Sequence, residues 1–236
     1  MTVREIAQLM DHSLLHPALS DDDILRGCEL ARQYEVKAVC IKPYAIPVAK
    51  EILKGSPVAI CSVVGFPHGN STAQVKLREC QDALAAGAHE IDMVINIGKA
   101  HSGAYDYVKD EIRALNRACA RTGSALKVIF ENDFLDDEQI IALCQICTDL
   151  NVAYVKTSTG FGFIKQPGGD FNYKGATEYH VKLMRRHCAA YIGIKASGGI
   201  RTLEDVRKFQ ALGCSRIGSA ATFSILDEAK KEAAQG

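Results

Sequence analysis

Ile192-Gly193-Ile194-Lys195-Ala196-Ser197-Gly198-Gly199-Ile200-Arg201-Thr202-Leu203-Glu204-Asp205 reads as one strand–loop–helix unit. Ile192–Ser197 is a short run of strand-forming residues. Ser197-Gly198-Gly199 supplies turn residues, and Thr202 followed by Asp205 is a capping-box variant that starts a helix closed by Gly213. The next strand follows at Arg216–Gly218. Toward the N-terminus the same unit recurs, with strands expected at Tyr154–Thr157, Ala125–Phe130, Glu90–Ile95, Val58–Val64, Ala38–Ile41 and Asp11–Leu15. Their starts lie 20 to 38 residues apart, which is room for one helix and two loops. The runs read as continuous rather than alternating, as parallel strands buried on both faces do. Eight such units predict an α/β fold, a single (β/α)8 TIM-barrel domain over residues 1–236, close to the usual size of about 250 residues. A doubly wound open sheet is the alternative. It calls for a glycine-rich loop after its first strand, where this chain has Leu15-His16-Pro17.

Helix signals agree with that division. Ser20-Asp21-Asp22-Asp23 caps Ile24–Tyr34, Pro47 opens Val48–Leu53, Asn70 or Ser71 is expected to cap the helix that Gly87 closes, and Asp136 precedes Glu138–Leu150. Twenty-eight basic residues balance twenty-eight acidic ones, which argues against nucleic-acid or membrane-surface binding. No apolar stretch is long enough to span a bilayer, and the first residues carry no signal-peptide core, so the expected location is cytoplasmic. Nine cysteines, odd in number and set in apolar runs, fit reduced buried thiols better than a disulfide framework. Cys144 and Cys147 form a CxxC inside a helical pattern and read as a buried helix face. Cys40 reads as a buried, inert thiol near the mouth of the barrel.

In a TIM barrel the chemistry sits where strands end. Lys156 ends Val152-Ala153-Tyr154-Val155, and Lys195 ends Tyr191-Ile192-Gly193-Ile194, on strands expected to be neighbours. Two inward ammonium groups in one desolvated cavity disfavour each other's charge and lower the pKa, the environment that a Schiff-base amine needs. For one lysine alone, a stem lying along the barrel with its head in solvent explains the position equally well. Asp92, inside Glu90-Ile91-Asp92-Met93-Val94-Ile95, needs a buried partner; a structural ion pair and a proton relay require the same geometry. Ser197, Gly198 and Gly199 after the seventh strand, Gly218 and Ser219 after the eighth, and Thr159 and Gly160 after the sixth form a candidate phosphate-binding set. These parts point to a phosphorylated aldehyde or ketone handled through an imine, with no cofactor and no metal. His12 and His16 flank a strand-end turn and His68 lies in a loop, which is not metal-ligand spacing.

With those residues in view, the chain resembles the deoxyribose-phosphate aldolases. The resemblance covers nearly the whole chain and rests on Asp11-His12-Ser13-Leu14-Leu15, Val64-Gly65-Phe66-Pro67-His68-Gly69, Glu90-Ile91-Asp92-Met93-Val94, Val155-Lys156-Thr157-Ser158-Thr159-Gly160 and Ile194-Lys195-Ala196-Ser197-Gly198-Gly199-Ile200-Arg201. It implies that Lys156 forms the Schiff base, that Lys195 perturbs it and shares in proton transfer, and that Asp92 relays protons through a water. It also implies reversible cleavage of 2-deoxy-D-ribose 5-phosphate to acetaldehyde and D-glyceraldehyde 3-phosphate by a cytoplasmic homodimer. An imine-forming aldolase with altered acceptor specificity and a non-catalytic phosphosugar-binding barrel are the alternatives. Four features depart from the family's usual pattern. Residues 162–174 intervene before Gly175-Ala176-Thr177, over the expected site, as a lid, a subunit contact or a specificity element. Glu131-Asn132-Asp133 is more acidic than usual, His16 stands where many relatives carry Lys, and the last residues lack a tyrosine that some members use as a relay.

Overall fold

The computed structural model describes residues 1–235. Eight parallel strands close into a barrel: β1 (Met10–Leu14), β2 (Ala38–Ile41), β3 (Ala59–Val64), β4 (Glu90–Val94), β5 (Ala125–Ile129), β6 (Tyr154–Lys156), then β9 (Gly193–Ser197) and β10 (Arg216–Ser219), which pairs back onto β1. Between β6 and β9 lies a two-stranded antiparallel hairpin, β7 (Ile164–Lys165) and β8 (Phe171–Asn172), which the sequence pattern did not disclose. Helices fill the connections: α1 (Val3–Ala7), α2 (Asp21–Tyr34), α3 (Ile46–Ile52), α4 (Ala73–Ala86), α5 (Ile97–His101), α6 (Tyr105–Thr122), α7 (Asp137–Asp149), α8 (Glu178–His187), α9 (Leu203–Ala211) and α10 (Thr222–Ala233). The expected barrel and the strand positions hold to within one residue at either end.

The caps follow the sequence with one correction. Ser20, Asp136 and Thr202 cap α2, α7 and α9 through capping boxes. For α4 the cap is Thr72, whose Oγ accepts from the Val75 N–H, because the helix begins beyond the Asn70-Ser71 loop.

The main core lies between strands and helices, where Ile60, Ile91, Met93, Val128, Ile194 and Ile217 meet Ile24, Ile112, Leu115, Leu143, Val206 and Ile225. The strands that form it are not uniformly apolar. In β4 the sequence Glu90-Ile91-Asp92-Met93 puts apolar side chains outward and carboxylates inward; Leu126-Lys127-Val128 and Ile194-Lys195-Ala196 do the same in β5 and β9. That corrects the expectation of continuous apolar runs: the two-residue period is present, with its polar phase inside the barrel. A smaller apolar cluster of Leu15, Ala38, Cys40, Cys61 and Val63 fills the interior beside β1–β3.

A buried ion pair also lies outside the barrel. The core face of α6 contains Val108, Glu111, Ile112 and Leu115, and that of α4 contains Lys76, Cys80 and Ala83, so each helix presents one charge to the core. Lys76 Nζ meets Glu111 Oε2 at 2.8 Å with both side chains inaccessible, and it also donates to the Val94 carbonyl at 2.8 Å. Glu111 Oε1 accepts from the Asn96 N–H at 2.7 Å. The pair therefore fixes the end of β4, the strand that carries Asp92. Burial disfavours the charged form of each partner, lowering the Lys76 pKa and raising that of Glu111, so the pair depends on both members. We expect Lys76→Met alone to destabilise the fold by about 3–5 kcal/mol, by stranding Glu111, and Lys76→Met/Glu111→Leu to recover most of that loss. Urea unfolding of both variants checks this; equal losses in the single and double variants would contradict it.

Candidate active site

The inward positions of β1, β4, β5, β6, β9 and β10 hold seven charged side chains in mutual contact. Asp92 is fully buried at their centre. Its Oδ2 accepts from Lys156 Nζ at 2.7 Å and from Lys195 Nζ at 2.8 Å, and its Oδ1 accepts from Lys127 Nζ at 2.8 Å. Strand register produces the convergence: Lys127 lies beside Asp92, and Lys156 beside Lys195. Lys195 also meets Asp11 Oδ2 at 2.5 Å, and Lys127 also meets Glu90 Oε2 at 2.6 Å and Asp11 Oδ2 at 3.6 Å. Arg216 closes the network below, paired with Asp11 and Glu90, its guanidinium 5.4 Å from the centre of the Tyr154 ring. Gly218 leaves space for this arrangement, since a Cβ there would lie 3.2 Å from Lys195 Cε and 2.9 Å from Ser197 Cβ.

Four cations thus face three carboxylates. Burial alone would raise the Asp92 carboxyl, but Lys127, Lys156 and Lys195 outweigh it and hold it well below the usual carboxylate range. Asp11, likewise buried, is held down to about 2 by Lys195, Lys127 and Arg216. For Lys195, burial favours the neutral amine, yet Asp11 and Asp92 dominate and raise its pKa above the ordinary lysine value. This corrects the sequence expectation for Lys195: the carboxylates, unseen as a group, overrule the repulsion between the lysines. Lys127 is likewise held protonated, with Asp92 and Asp11 again opposing burial. Lys156 pairs with Asp92 alone and faces the cleft, whereas the other two lysines each meet at least two carboxylates.

Cys40, Cys61 and Asp92 bring three potential ligand atoms within 4.8 Å of one another. The Cys61 thiol donates to Asp92 Oδ1 at 3.0 Å, and burial pushes its pKa well up. A metal cation there would sit against the ammonium groups already on Asp92, so the set is better suited to binding lysines than metal. Cys144 and Cys147 are buried on α7, as a core face requires.

Above this network opens a cleft of about 970 Å³, lined by both Lys156 and Lys195 and by all the expected phosphate-loop residues: Thr159, Gly160, Ser197, Gly198, Gly199, Gly218 and Ser219. Their hydroxyls are otherwise engaged. Ser197 Oγ donates to the Ser158 carbonyl, Ser219 Oγ donates to the Ile200 carbonyl at 2.7 Å and accepts from the Ala221 N–H, and Thr159 Oγ donates to Glu131. These side chains shape the loops. What the loops offer a ligand is the backbone, with Gly160, Gly198 and Gly199 at φ between +80° and +91°.

Sequence reasoning named Lys156, Lys195 and Asp92 and missed the joint role of Asp11, Glu90, Lys127 and Arg216. It also missed Glu131 as a hub: buried, with its carboxyl raised by burial, it accepts from Ser158, from the Thr159 hydroxyl and from the Thr159 N–H at 3.1 Å. The signal was a charged residue at alternate positions of an otherwise apolar strand.

Comparison with known proteins agrees with this geometry. The pattern of the DeoC/LacD family aldolases matches residues 5–218. The deoxyribose-phosphate aldolase of Rhodopirellula baltica is 41% identical over 228 residues, covering 97% of this chain and 90% of the relative. That of Caldanaerobacter subterraneus is 43% identical over 232 residues, covering 98% and 96%. The tetrameric deoxyribose phosphate aldolase structure from Aeropyrum pernix superposes with a TM-score of 0.87 at 27% identity, over 98% of this chain and 93% of that one. With its barrel, its lysine–carboxylate interior and these relatives, the chain belongs to the DeoC/LacD family of aldolases.

Proposed function

We propose that this protein is a class I deoxyribose-phosphate aldolase in which Lys156 is the Schiff-base residue. The observation that carries the assignment is the unequal pairing of the three lysines on Asp92. Four buried cationic side chains meet only three carboxylates, and Lys156 is the amine with the fewest carboxylate partners and borders the cleft.

The deprotonated Nζ adds to the C1 aldehyde of open-chain 2-deoxy-D-ribose 5-phosphate, and loss of water gives a protonated imine. A base takes the proton of the C3 hydroxyl, the C2–C3 bond breaks, and its electron pair moves toward the imine nitrogen as an enamine forms. D-Glyceraldehyde 3-phosphate leaves. The enamine takes a proton at C2, and water then releases acetaldehyde and the amine. Lys195 and Asp92 form the proton-handling pair: Lys195 is the charged donor facing the cleft, and Asp92 holds both nitrogens on one oxygen. Gly198, Gly199, Gly218 and Gly160, with Thr159, Ser197 and Ser219 shaping their loops, are the phosphate cradle. The reading needs no metal or cofactor. It extends to a cytoplasmic homodimer; no helix among the described residues is long and apolar enough to cross a membrane, and sedimentation velocity gives the assembly state.

Acetaldehyde with borohydride is expected to add one ethyl group to the peptide bearing Lys156, read by mass spectrometry. No adduct, or an adduct confined to Lys195, would sink the assignment. Lys156→Leu should lower kcat by at least about a thousandfold while circular dichroism stays native, because nothing else supplies the covalent intermediate.

The ionised carboxylates also set an acid limit. Asp11 titrates lower when folded than when unfolded, so its contribution to stability is complete above about pH 4 and is lost as the pH falls toward 2. The denaturant midpoint should fall across that window in the native protein. The decline should be shallower in Asp11→Asn, whose unfolding is measured alongside.

A further inference from the structure

The hairpin of residues 161–174 interrupts the chain between the two lysine strands. Both of its legs are fastened to the Glu131-Asn132-Asp133 turn at the end of β5. The first leg is held through Thr159, whose N–H and hydroxyl go to Glu131 and whose Oγ accepts from the Phe161 N–H at 2.9 Å. The second is held directly, because Asp133 Oδ2 accepts from the Lys174 N–H at 2.6 Å and from the Gly175 N–H at 2.9 Å. The two legs touch at Gly162, where a Cβ would lie 3.2 Å from Tyr173 Cβ. Past the clamp, the Ala176 N–H donates to the Gly198 carbonyl at 3.1 Å. Gly175 passes so close that a Cβ would meet that oxygen at 2.4 Å. The unusual acidity at 131–133 and the additional residues before Gly175 are therefore one device: the turn is the socket into which the hairpin plugs.

The hairpin is internally stiff. Gln166 Nε2 donates to the Ile164 and Asn172 carbonyls, and Phe163 and Phe171 stack 4.3 Å apart on the outer side. Its inner side lines the cleft through Phe161 and Tyr173. Phe161 packs edge-on against Phe66 and covers the apolar interior cluster of Leu15, Cys40 and Val63. Cys40 Sγ is 3.9 Å from the same Asp92 oxygen that holds Lys156. The mouth thus has two halves: glycine loops on the β9–β10 side, and a phenylalanine-capped apolar wall beside Lys156.

We propose that this hairpin is the specificity wall for the carbon chain bound to Lys156, with Phe161 and Tyr173 limiting its size and Asp133 acting as the positioning residue that seats them. The inference rests on the Schiff-base reading of Lys156 and extends it to the choice of donor aldehyde. The wall keeps the pocket beside the amine to a two-carbon unit and excludes one more methyl group.

The test is aldol addition to D-glyceraldehyde 3-phosphate with acetaldehyde or propanal as donor, scored as the ratio of their kcat/KM values. Variants are Phe161→Ala, Phe161→Leu, Tyr173→Ala, Asp133→Ala and Asp133→Asn, with borohydride trapping of acetaldehyde on Lys156 followed in each. Phe161→Ala and Tyr173→Ala should raise the propanal-to-acetaldehyde ratio about tenfold, the usual discrimination of an apolar pocket for one methylene, while trapping persists. Asp133→Ala should raise it in the same way. Asp133→Asn should restore most of the native ratio, because an amide oxygen still accepts both N–H groups. Phe161→Leu should fall between native and alanine, and it tests the wall if the alanine variant does not fold. Ratios within about twofold of native in folded variants would overturn the inference. Absence of trapping in the native protein would instead overturn the lysine assignment on which it rests.

Discussion

A carboxylate removed from water must find cations, and in this barrel Asp92 finds three. Much else in the interior follows from that requirement. Three ammonium groups on one carboxylate over-compensate it, so Asp11 and Glu90 are drawn in to balance Lys127 and Lys195, and Arg216 is drawn in to balance Asp11 and Glu90. Each added charge is affordable only because the previous one is already buried beside it. The network is therefore cooperative, and it ends where the carboxylates run out, at Lys156. Lys156 thus has the fewest counter-charges, at the top of a network that is well paired below.

The same interior explains why a TIM barrel suits this chemistry. Closing the sheet sends alternate side chains of each strand inward, so charges from six strands meet without any loop having to position them. The apolar phase of the same strands faces the helices and forms the core that makes burial possible. Stability and reactivity are thus carried on opposite faces of single strands. The loops at the strand ends contribute backbone rather than charge, with their hydroxyls spent on holding loop shape.

How much of this could be read in advance depended on range. The strand–loop–helix punctuation is local, and Ser20, Gly87, Asp136 and Thr202 mark helix ends by bonds spanning only a few residues, so the eight units were legible. Lys156, Lys195 and Asp92 were legible as charged residues within apolar strands. Their electrostatic balance was not, because it is set by Asp11 and Arg216, whose sequence separation from their partners approaches the length of the chain. Reading the strands as continuous apolar runs hid the inward phase that would have gathered Glu90, Lys127 and Arg216. The 161–174 segment was visible as an insertion but carried no strand-length run, since each of its strands is two residues long.

On the specificity proposal, that insertion changes what the barrel accepts without disturbing the strands that carry its charges. The hairpin leaves the chain only after Gly160 and rejoins before Thr177, so it adds nothing to the strands that seat the lysines. Its attachment uses carboxyl groups that the end of β5 presents above the charged layer, and Asp133 bonds only to backbone N–H groups of the returning leg. A carboxylate that accepts from backbone N–H groups is indifferent to the side chains of the segment it holds. The wall residues at positions 161 and 173 are therefore free to vary while the socket, the amine and its counter-charges stay fixed. Glu131 joins the hairpin to the end of the lysine strand, accepting from Thr159 on one side and from Ser158 on the other.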